Sequence, residues 1–342
     1  MFREIKTNTI TIIALFLVFC KLSSCNNQFP ISDFSIKEKL EVDFIKSEKI
    51  IAPMFFLIQG NRLCTYTLKK DTMIDMFSLP MLIHQKSFGM RGQGPDEFHS
   101  FPWPCKSTND NLYIRGYSPL IIKQFSVDNS ANLIEENEFE LKTHESFGAM
   151  YIVQDSLLIY SSMGRMIDRK EQISIKKYNL NQKKETGSIF IRTSSPQNAS
   201  IDPNRGGISA NDSFIVYFYF FKKQIDIYDV HNMKLVKRMG RVKAPSINIA
   251  FNENISHYLD AYAGEKYFYL LYNKKGNKIN IIEPSSRSIE VFDYNGNAIA
   301  EFTFDNFINY FAIDEINHCL YAYDITNEDF IIKYRLPEIL FE

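Results

Sequence analysis

The sequence predicts an all-β fold, a six-bladed β-propeller of four-stranded antiparallel blades, and three features support that prediction. A short motif of β-branched and aromatic residues recurs six times, each copy alternates apolar with polar residues, and helical patterns are nearly absent. Alternation with a period of two is typical of β-strands, and a repeat of roughly 40–50 residues is typical of propeller blades. The motif is marked by an aromatic residue at Phe77, Phe125, Tyr178, Tyr228, Phe292 and Tyr334, with steps of 48, 53, 50, 64 and 42 residues.

The remaining strands of each unit follow from the turns. A polar turn pair, such as Asn211-Asp212, precedes an apolar strand, and that strand precedes the aromatic motif. A hairpin turn follows the motif, most clearly at Asn295-Gly296, because Asn-Gly supplies the positive φ of a tight hairpin. A less regular inner strand ahead of the polar pair completes four strands per unit.

The first 25 residues predict export. Arg3 and Lys6 precede an apolar run over residues 10–20, which is typical of a secretory signal peptide and too short for a stable membrane anchor. The run is followed by Leu22-Ser23-Ser24-Cys25, which resembles a lipoprotein lipobox. We therefore expect a signal peptide over residues 1–24 and a lipidated Cys25 with a tether over residues 25–37. Ordinary secretion, with cleavage after a small residue, is the alternative.

Residues 38–342 are predicted to form the propeller, with no room for a second sizeable domain. A propeller ring usually completes its last blade with strands from both chain ends, so that no strand edge is left unpaired. The run at residues 39–45 alternates apolar and polar side chains. We expect it to close the blade that contains residues 330–336.

Composition and cysteine usage narrow the class of protein. The net charge is −1 and no long block of one sign occurs, which argues against a nucleic-acid partner. Besides Cys20 in the signal peptide and the lipidated Cys25, the chain has Cys64, Cys105 and Cys319. Cys64 and Cys319 fall in the first and last blades, so they either close a disulfide or remain buried free thiols, and sequence spacing does not establish the geometry.

The most distinctive non-repetitive segment is GMRGQGPDEF at residues 89–98, after the last strand of the first blade. Its glycines permit a tight path, and Pro95 ends the strand. A phosphate loop is excluded because the following Phe101-Pro102-Trp103-Pro104 cannot begin a helix. Two interpretations stay open: a structural turn between blades, or a ligand role for Arg91, Gln93 or Glu97.

This segment, the lipobox and the six repeats together resemble the TolB-like six-bladed β-propeller lipoproteins of Bacteroidota. Members of that family often have glycine where this chain has Asp96. The resemblance implies a propeller fold and an envelope location, and it implies no shared activity.

The arginines suggest a binding face. In a propeller, the connections between blades share one face with the loops between second and third strands, and eight of the twelve arginines fall in such segments. Guanidinium groups match carboxylate, sulfate or phosphate, and an aromatic ring such as Trp103 can stack on a sugar. Exposed arginines in ordinary loops are the alternative. The candidate ligand-binding residues are Arg91, Trp103, Arg115, Arg165, Arg205 and Arg241.

Signals for catalysis are weak. The six histidines are scattered without metal-ligand spacing, and neither a Gly-x-Ser-x-Gly nor a Cys-x-x-Cys motif occurs. Asp202 and Asp260 fall near inner positions and are the candidate acids. The sequence therefore predicts no catalytic set, no metal site and no cofactor, and it favours a protein that is not an enzyme.

Three function classes follow from these observations. The first is an envelope lipoprotein that binds a glycan or other anionic ligand at one propeller face. The second is a protein-interaction scaffold in an envelope complex, and the third is a hydrolase or lyase at the channel. The expected partners are the membrane, through the lipid on Cys25, and an anionic glycan or envelope protein. Residues 26–28 lack an acidic cluster, so we expect an outer-membrane anchor on the periplasmic side rather than the cell surface.

Overall fold

The computed structural model describes residues 31–46, 49–94, 97–98, 100–116, 120–141, 146–163, 172–194, 202–240, 245–246, 256–274, 286–327 and 330–341. These ranges contain 25 strands, β1 to β25, and a short 3-10 helix at Glu338–Leu340. No helix in the described ranges is long and apolar enough to cross a membrane.

The strands form six blades arranged in chain order. Blade 1 contains β3 (Phe55–Gln59), β4 (Arg62–Tyr66), β5 (Thr72–Ser78) and β6 (Ile83–Met90). Blade 2 contains β7 (Trp103–Ser107), β8 (Leu112–Arg115), β9 (Leu120–Val127) and β10 (Leu133–Leu141). Blade 3 contains β11 (Ser146–Val153), β12 (Leu157–Met163), β13 (Ile173–Asn179) and β14 (Lys184–Ile191).

The second half of the ring repeats this order. Blade 4 contains β15 (Gly206–Ala210), β16 (Phe214–Tyr219), β17 (Gln224–Asp229) and β18 (Leu235–Gly240). Blade 5 contains β19 (Tyr258–Ala263), β20 (Tyr267–Asn273), β21 (Arg287–Asp293) and β22 (Ala298–Thr303), with β1 (Ile36–Lys39) added at its edge. Blade 6 contains β23 (Ile308–Asp314), β24 (Cys319–Asp324) and β25 (Phe330–Arg335), completed by β2 (Val42–Lys46).

The predicted repeat is confirmed at the level of single strands. All six aromatic residues of the motif lie in the third strand of their blades, from Phe77 in β5 to Tyr334 in β25. The predicted hairpin at Asn295-Gly296 joins β21 to β22, and Gly296 has a φ of +84°. Since a side chain is disfavoured at that φ, glycine is the residue that this turn requires.

The predicted closure of the ring is also confirmed. Strand β2 pairs antiparallel with β25, from Val42 opposite Tyr334 to Lys46 opposite Phe330. The buried side chain of Leu40, just before β2, joins the apolar cluster between blades 5 and 6. Residues near both chain ends therefore share one blade, and the third strand of that blade keeps a paired edge.

The part of the predicted tether that the structure describes, residues 31–37, packs on the propeller and does not extend freely from it. Strand β1 pairs in parallel with β22, with Ile36 opposite Ala300, so the boundary predicted at residue 38 lies inside a strand. Ile31 and Phe34 pack against the cluster between blades 4 and 5, and the rings of Phe34 and Phe292 are 5.3 Å apart. These apolar side chains remove area from water by docking, which a free polar tether would not do.

The core lies between neighbouring blades, where the facing sheets bury six apolar clusters. Cys64, Cys105 and Cys319 are buried free thiols, so of the two alternatives for Cys64 and Cys319 the free thiols are observed. Burial raises the pKa of Cys64 to about 12 and that of Cys105 to about 11. These thiols are unreactive packing groups at neutral pH.

Candidate functional site

The six inner strands surround a channel with two mouths. Each inner strand begins at the connection from the preceding blade and ends at the turn to its second strand. The connections between blades therefore lie at one end, which we call the inter-blade mouth. The first turns of the blades lie at the other end, which we call the turn mouth.

A cavity of about 550 Å³ opens at the turn mouth, and all six blades contribute to its lining. Small-molecule sites typically occupy roughly 300–1,000 Å³. The inner strands contribute Lys106, Tyr151, Ser209 and Tyr262 to this cavity. The turns contribute polar and acidic residues, among them Asp110, Asp212, Glu265 and Glu315.

Lys106 carries positive charge into this cavity. Its Nζ donates a hydrogen bond of 3.3 Å to the carbonyl oxygen of Ala261. The same ammonium lies 5.6 Å from the ring centre of Phe55 and 5.8 Å from that of Tyr151. Burial lowers the pKa of Lys106, but interactions with Tyr151 and Asp260 outweigh burial, and the net pKa lies above its ordinary value. Lys106 is therefore positively charged at neutral pH.

Asp260 on β19 is the acidic counterpart of Lys106. Burial raises the pKa of this carboxyl, while the charge of Lys106 and the N–H groups of Ala261 and Phe311 oppose the rise. The Ala261 N–H donates to Oδ1 at 2.8 Å. The sequence had suggested Asp260 as a candidate acid, and the structure shows it interacting electrostatically with a lysine from the opposite side of the ring.

Hydrogen bonds between blades hold the rim of the cavity in place. Each joins a first turn or inner-strand end to that of another blade, which restricts the motion of the turns. They include Ser107 Oγ to Gln59 Oε1 at 2.9 Å, Gln154 N to Asp212 Oδ1 at 2.8 Å, Asn211 Nδ2 to the Gly264 carbonyl at 2.7 Å, and Ala263 N to Ser209 Oγ at 2.9 Å.

Glu315 is a weakly bonded carboxylate on that rim. Its Oε2 accepts long bonds of 3.4 Å from the Tyr262 hydroxyl and from the N–H of Glu265. Burial raises the pKa of Glu315, and the charge of Glu265 adds to the rise. A Cβ at Gly264 would lie 2.1 Å from Oε1, so glycine at that position lets the carboxylate lie against the turn.

The other rim carboxylates differ in how fully they are bonded. Asp314 accepts from the backbone and side-chain nitrogens of Asn317 at 2.9 and 2.8 Å. Asp212 accepts from Thr108 as well as from the backbone of Gln154. Both carboxylates are used to hold turns, whereas the two bonds to Glu315 are near the upper limit of hydrogen-bond length.

The predicted arginines that the structure describes lie toward the inter-blade mouth, in two separate blade regions. Arg91 is exposed over the ring of Phe101, 4.8 Å from its centre. Arg115 is only 4% exposed and lies opposite Trp103 in blade 2, with its guanidinium carbon 6.0 Å from that ring. Arg205, at the start of blade 4, lies 5.7 Å from the ring of Phe220. Arg165 and Arg241 fall outside the described residues.

Trp103 packs into the cluster between blades 1 and 2. Its ring centre lies 4.6 Å from that of Tyr66 and 6.3 Å from that of Phe55. The structure therefore brings Trp103 and Arg115 together. Arg205 belongs to a different blade region.

Glu97 shapes the segment at residues 89–98. Its Oε2 accepts a bond of 2.8 Å from the N–H of Gly94, and a Cβ at Gly92 would lie 1.9 Å from the same oxygen. The N–H of Gly92 donates to the Phe98 carbonyl at 2.9 Å. This geometry favours the structural-turn interpretation for Glu97.

Other buried charges form ion pairs within a blade or, for Glu290, between blades 4 and 5. Asp75, Asp226 and Glu290 occupy the same place, two residues before the aromatic residue of the motif, in blades 1, 4 and 5. The candidate acid Asp202 is buried and accepts from the N–H groups of Ser194 and Asn204. The three repeated acids pair with Lys70, Arg238 and Lys223. Among the described residues, no group of three His, Cys, Asp or Glu side chains is placed to hold a metal ion.

Sequence reasoning missed the main groups of the turn-mouth cavity. For Lys106 the sequence held one signal: it is the single charged residue of the inner strand at residues 103–107. Tyr151 and Glu315 carried no such signal. Only the ring arrangement brings these three residues, from blades 2, 3 and 6, to one cavity.

Six four-stranded units around a central cavity define a six-bladed β-propeller. The chain belongs to the family described as TolB-like 6-blade propeller-like, whose model matches residues 33–316.

Solved structures agree on the fold. A putative exported protein from Bacteroides fragilis has a TM-score of 0.56 and 13% identity, covering 88% of this chain and 99% of its own. A gluconolactonase from Xanthomonas campestris has a TM-score of 0.52 and 8% identity, covering 86% of this chain and 90% of its own. At these identities the likeness concerns the fold alone. No curated protein matches the sequence.

Proposed function

We propose that this protein is a lipid-anchored binding module of the bacterial envelope that takes a small polar ligand into its channel from the turn mouth. The observation that carries this proposal is the cavity of about 550 Å³ lined by all six blades. Its rim is fixed by hydrogen bonds between blades, so the site is largely formed before a ligand enters. A preformed site reduces the ordering cost of binding.

The chemistry of the cavity supports recognition over catalysis. The raised pKa of Lys106 keeps its amine protonated, and a protonated amine is neither a nucleophile nor a general base. Fixed charges and hydroxyl groups around a cavity are suited to orienting a polar ligand. The propeller fold is consistent with either a binding or a scaffold module.

Filling the cavity tests the proposal. Ala263 lines the cavity on β19, and Ala263→Phe would occupy space that a ligand needs. We expect a metabolite and oligosaccharide library, screened by ligand-observed NMR on residues 31–342, to give hits that Ala263→Phe removes. Leu235→Phe on the outer strand of blade 4 is the matched control. Hits that survive Ala263→Phe would place the binding site elsewhere.

The lipid anchor is part of the proposal and rests on Leu22-Ser23-Ser24-Cys25. We propose that the lipid on Cys25 holds the domain at the periplasmic side of the outer membrane. Metabolic labelling with a palmitate analogue should tag the full chain, and Cys25→Ala should abolish the tag. Labelling that persists in Cys25→Ala would refute the anchor without affecting the cavity.

A second candidate is an anionic glycan at the inter-blade mouth. It is favoured by one observation: the exposed Arg91 and the partly exposed Arg205 each lie over an aromatic ring, whereas Arg115 is buried. Such pairs hold a guanidinium in a defined orientation and leave its plane available to sulfate or carboxylate. A glycan array with sulfated and uronic-acid members should then show binding that weakens in Arg91→Ala and Arg205→Ala and with added salt. Binding to neutral sugars only would remove this candidate.

A further inference from the structure

We infer that the turn-mouth cavity selects a short zwitterionic ligand of dipeptide size, with the ligand carboxylate at Lys106 and its ammonium group at Glu315. This inference rests on the proposed binding function and names the ligand class for the same site. It depends on the order of charges along the channel, on the bonding of each charged group and on the size of the cavity.

The two charged groups lie at different depths. Lys106 lies inside β7, two positions before Thr108, the first residue of the turn that follows. Its ammonium contacts Ala261, which lies inside β19 and not in a turn. Glu315 directly follows Asp314, the last residue of β23, and therefore lies at the rim. Two strand residues correspond to roughly 7 Å along the channel. An extended dipeptide spans roughly the same distance between its charged ends.

Lys106 has bonding capacity for a ligand carboxylate. An ammonium group has three N–H donors. Among the described residues two of these donors are used, in the 3.3 Å bond to the Ala261 carbonyl and a bond with the Tyr151 side chain, and the carboxyl of Asp260 interacts with the ammonium through its charge. The rings of Phe55 and Tyr151 flank the ammonium and restrict its position. A carboxylate entering the cavity would meet a charged donor that is already oriented.

Glu315 has the matching capacity for a ligand ammonium. A carboxylate offers about four acceptor positions, and the two described bonds to Glu315 both reach the same oxygen at 3.4 Å. Gly264 leaves room for the other oxygen beside the turn. Both oxygens of Asp314 and the Oδ1 of Asp212 are used in holding turns by bonds of ordinary length, whereas the bonds to Glu315 are long, so Glu315 is the better partner for an incoming cation.

The charge pattern disfavours the simpler alternatives. A polycation would match the acidic rim but would bring positive charge towards Lys106, which lies deeper in the channel. A dicarboxylate would match Lys106 and meet repulsion from Glu315 and its neighbour Glu265. A dipolar ligand satisfies both ends, because like charges inside a cavity are costly and opposite charges are favourable.

The experiment uses three probes that differ only at their ends: Ala-Ala, N-acetyl-Ala-Ala and Ala-Ala amide. Their affinities for the propeller, residues 31–342, are measured by chemical-shift titration to millimolar concentration. We expect Ala-Ala to bind, and we expect loss of either charge to weaken binding about tenfold or more, which corresponds to about 1.4 kcal/mol. Equal affinities for the three probes, or no binding of Ala-Ala, would overturn the inference.

Variants assign each end of the ligand. In Lys106→Met, Ala-Ala and Ala-Ala amide should bind equally, since the partner of the ligand carboxylate is gone. In Glu315→Gln, Ala-Ala and N-acetyl-Ala-Ala should bind equally. Lys123→Met on blade 2, whose lysine pairs with Glu135 on an outer hairpin, should keep the wild-type discrimination. If both cavity variants still distinguish the three probes as the wild type does, the assignment of the ligand ends to Lys106 and Glu315 is refuted. If a variant misfolds, the comparison of the three probes on the wild-type protein still tests the inference.

A neutral probe separates this inference from the proposed function. Maltotriose offers hydroxyl groups without charge. If maltotriose binds, Ala263→Phe abolishes that binding and the dipeptides do not bind, the zwitterion inference fails while the cavity remains the ligand site. If Ala-Ala binds equally well to Ala263→Phe and to the wild type, both proposals fail.

Discussion

Lys106 of blade 2 donates a hydrogen bond of 3.3 Å to the carbonyl oxygen of Ala261 in blade 5, so one side chain crosses the centre of the ring. Blades 2 and 5 are opposite each other in a ring of six. The contact places a positive charge beside Asp260 and below the acidic turns.

The first prediction concerns the balance between Lys106 and Asp260. Lys106→Met should raise the pKa of Asp260 further, because burial already raises it and Lys106 is the charge that opposes the rise. Asp260 then binds its proton more readily in the folded state than in the unfolded state. The free energy of unfolding therefore falls as the pH rises from the unfolded pKa of Asp260 to its folded pKa. The variant should lose more stability relative to wild type at pH 7 than at pH 4.

Urea denaturation of both proteins at the two pH values measures this effect, with Lys123→Met as the control. A loss of stability that is the same at both pH values would show that Lys106 acts through packing and not through the charge of Asp260.

The second prediction concerns Glu315. Because burial raises its pKa, ionisation of Glu315 opposes folding; the cost is absent below the unfolded pKa and fully present above the folded pKa. Glu315→Gln should therefore stabilise the protein at neutral pH and have little effect in acid. Thermal unfolding at both pH values tests this, with the exposed Glu41→Gln as the control. Destabilisation at neutral pH would mean that the bonds from Tyr262 and Glu265 outweigh the burial of charge.

The third prediction concerns closure of the ring. Leu40 is 3% exposed and packs in the cluster between blades 5 and 6, at the joint between β1 and β2. Leu40→Ala should cost about 2–5 kcal/mol, the usual range for a buried leucine. The neighbouring exposed Glu41→Ala should change stability by about 0.5 kcal/mol or less. Chemical denaturation measures both effects. If both substitutions have an equally small effect, the N-terminal segment of β1 and β2 on blades 5 and 6 does not stabilise the fold.

The fourth prediction concerns the loop after blade 1. A methyl group at Gly92 would displace the carboxylate of Glu97 from its 2.8 Å bond with the Gly94 N–H. Gly92→Ala and Glu97→Ala should each cost about 1.5–3 kcal/mol, the range for bonds to charged groups. The double variant should cost little more than either single one, because both remove the same bond. Additive losses in this double-mutant cycle would show that Gly92 is required for another reason.

The sequence by itself determined the architecture. Six aromatic residues at blade-length spacing, polar turns before the second strands and an alternating segment near the start were sufficient to predict six blades closed by an N-terminal strand. These signals are local: strand alternation and turn chemistry depend on neighbours within a few residues. The parallel β1 on blade 5 escaped prediction because only four residues form it, and three of those side chains are exposed.

The tertiary structure alone decided where the candidate site lies. The sequence predicted a binding face at the inter-blade mouth because the positions of arginines can be read directly from a sequence. The turn-mouth cavity depends on Lys106, Tyr151 and Glu315, which are separated along the chain by 45 residues and by 164 residues and meet only when the ring closes. Their charges interact across blades, and neither the burial that shifts each pKa nor the distance to a partner can be read from local pattern.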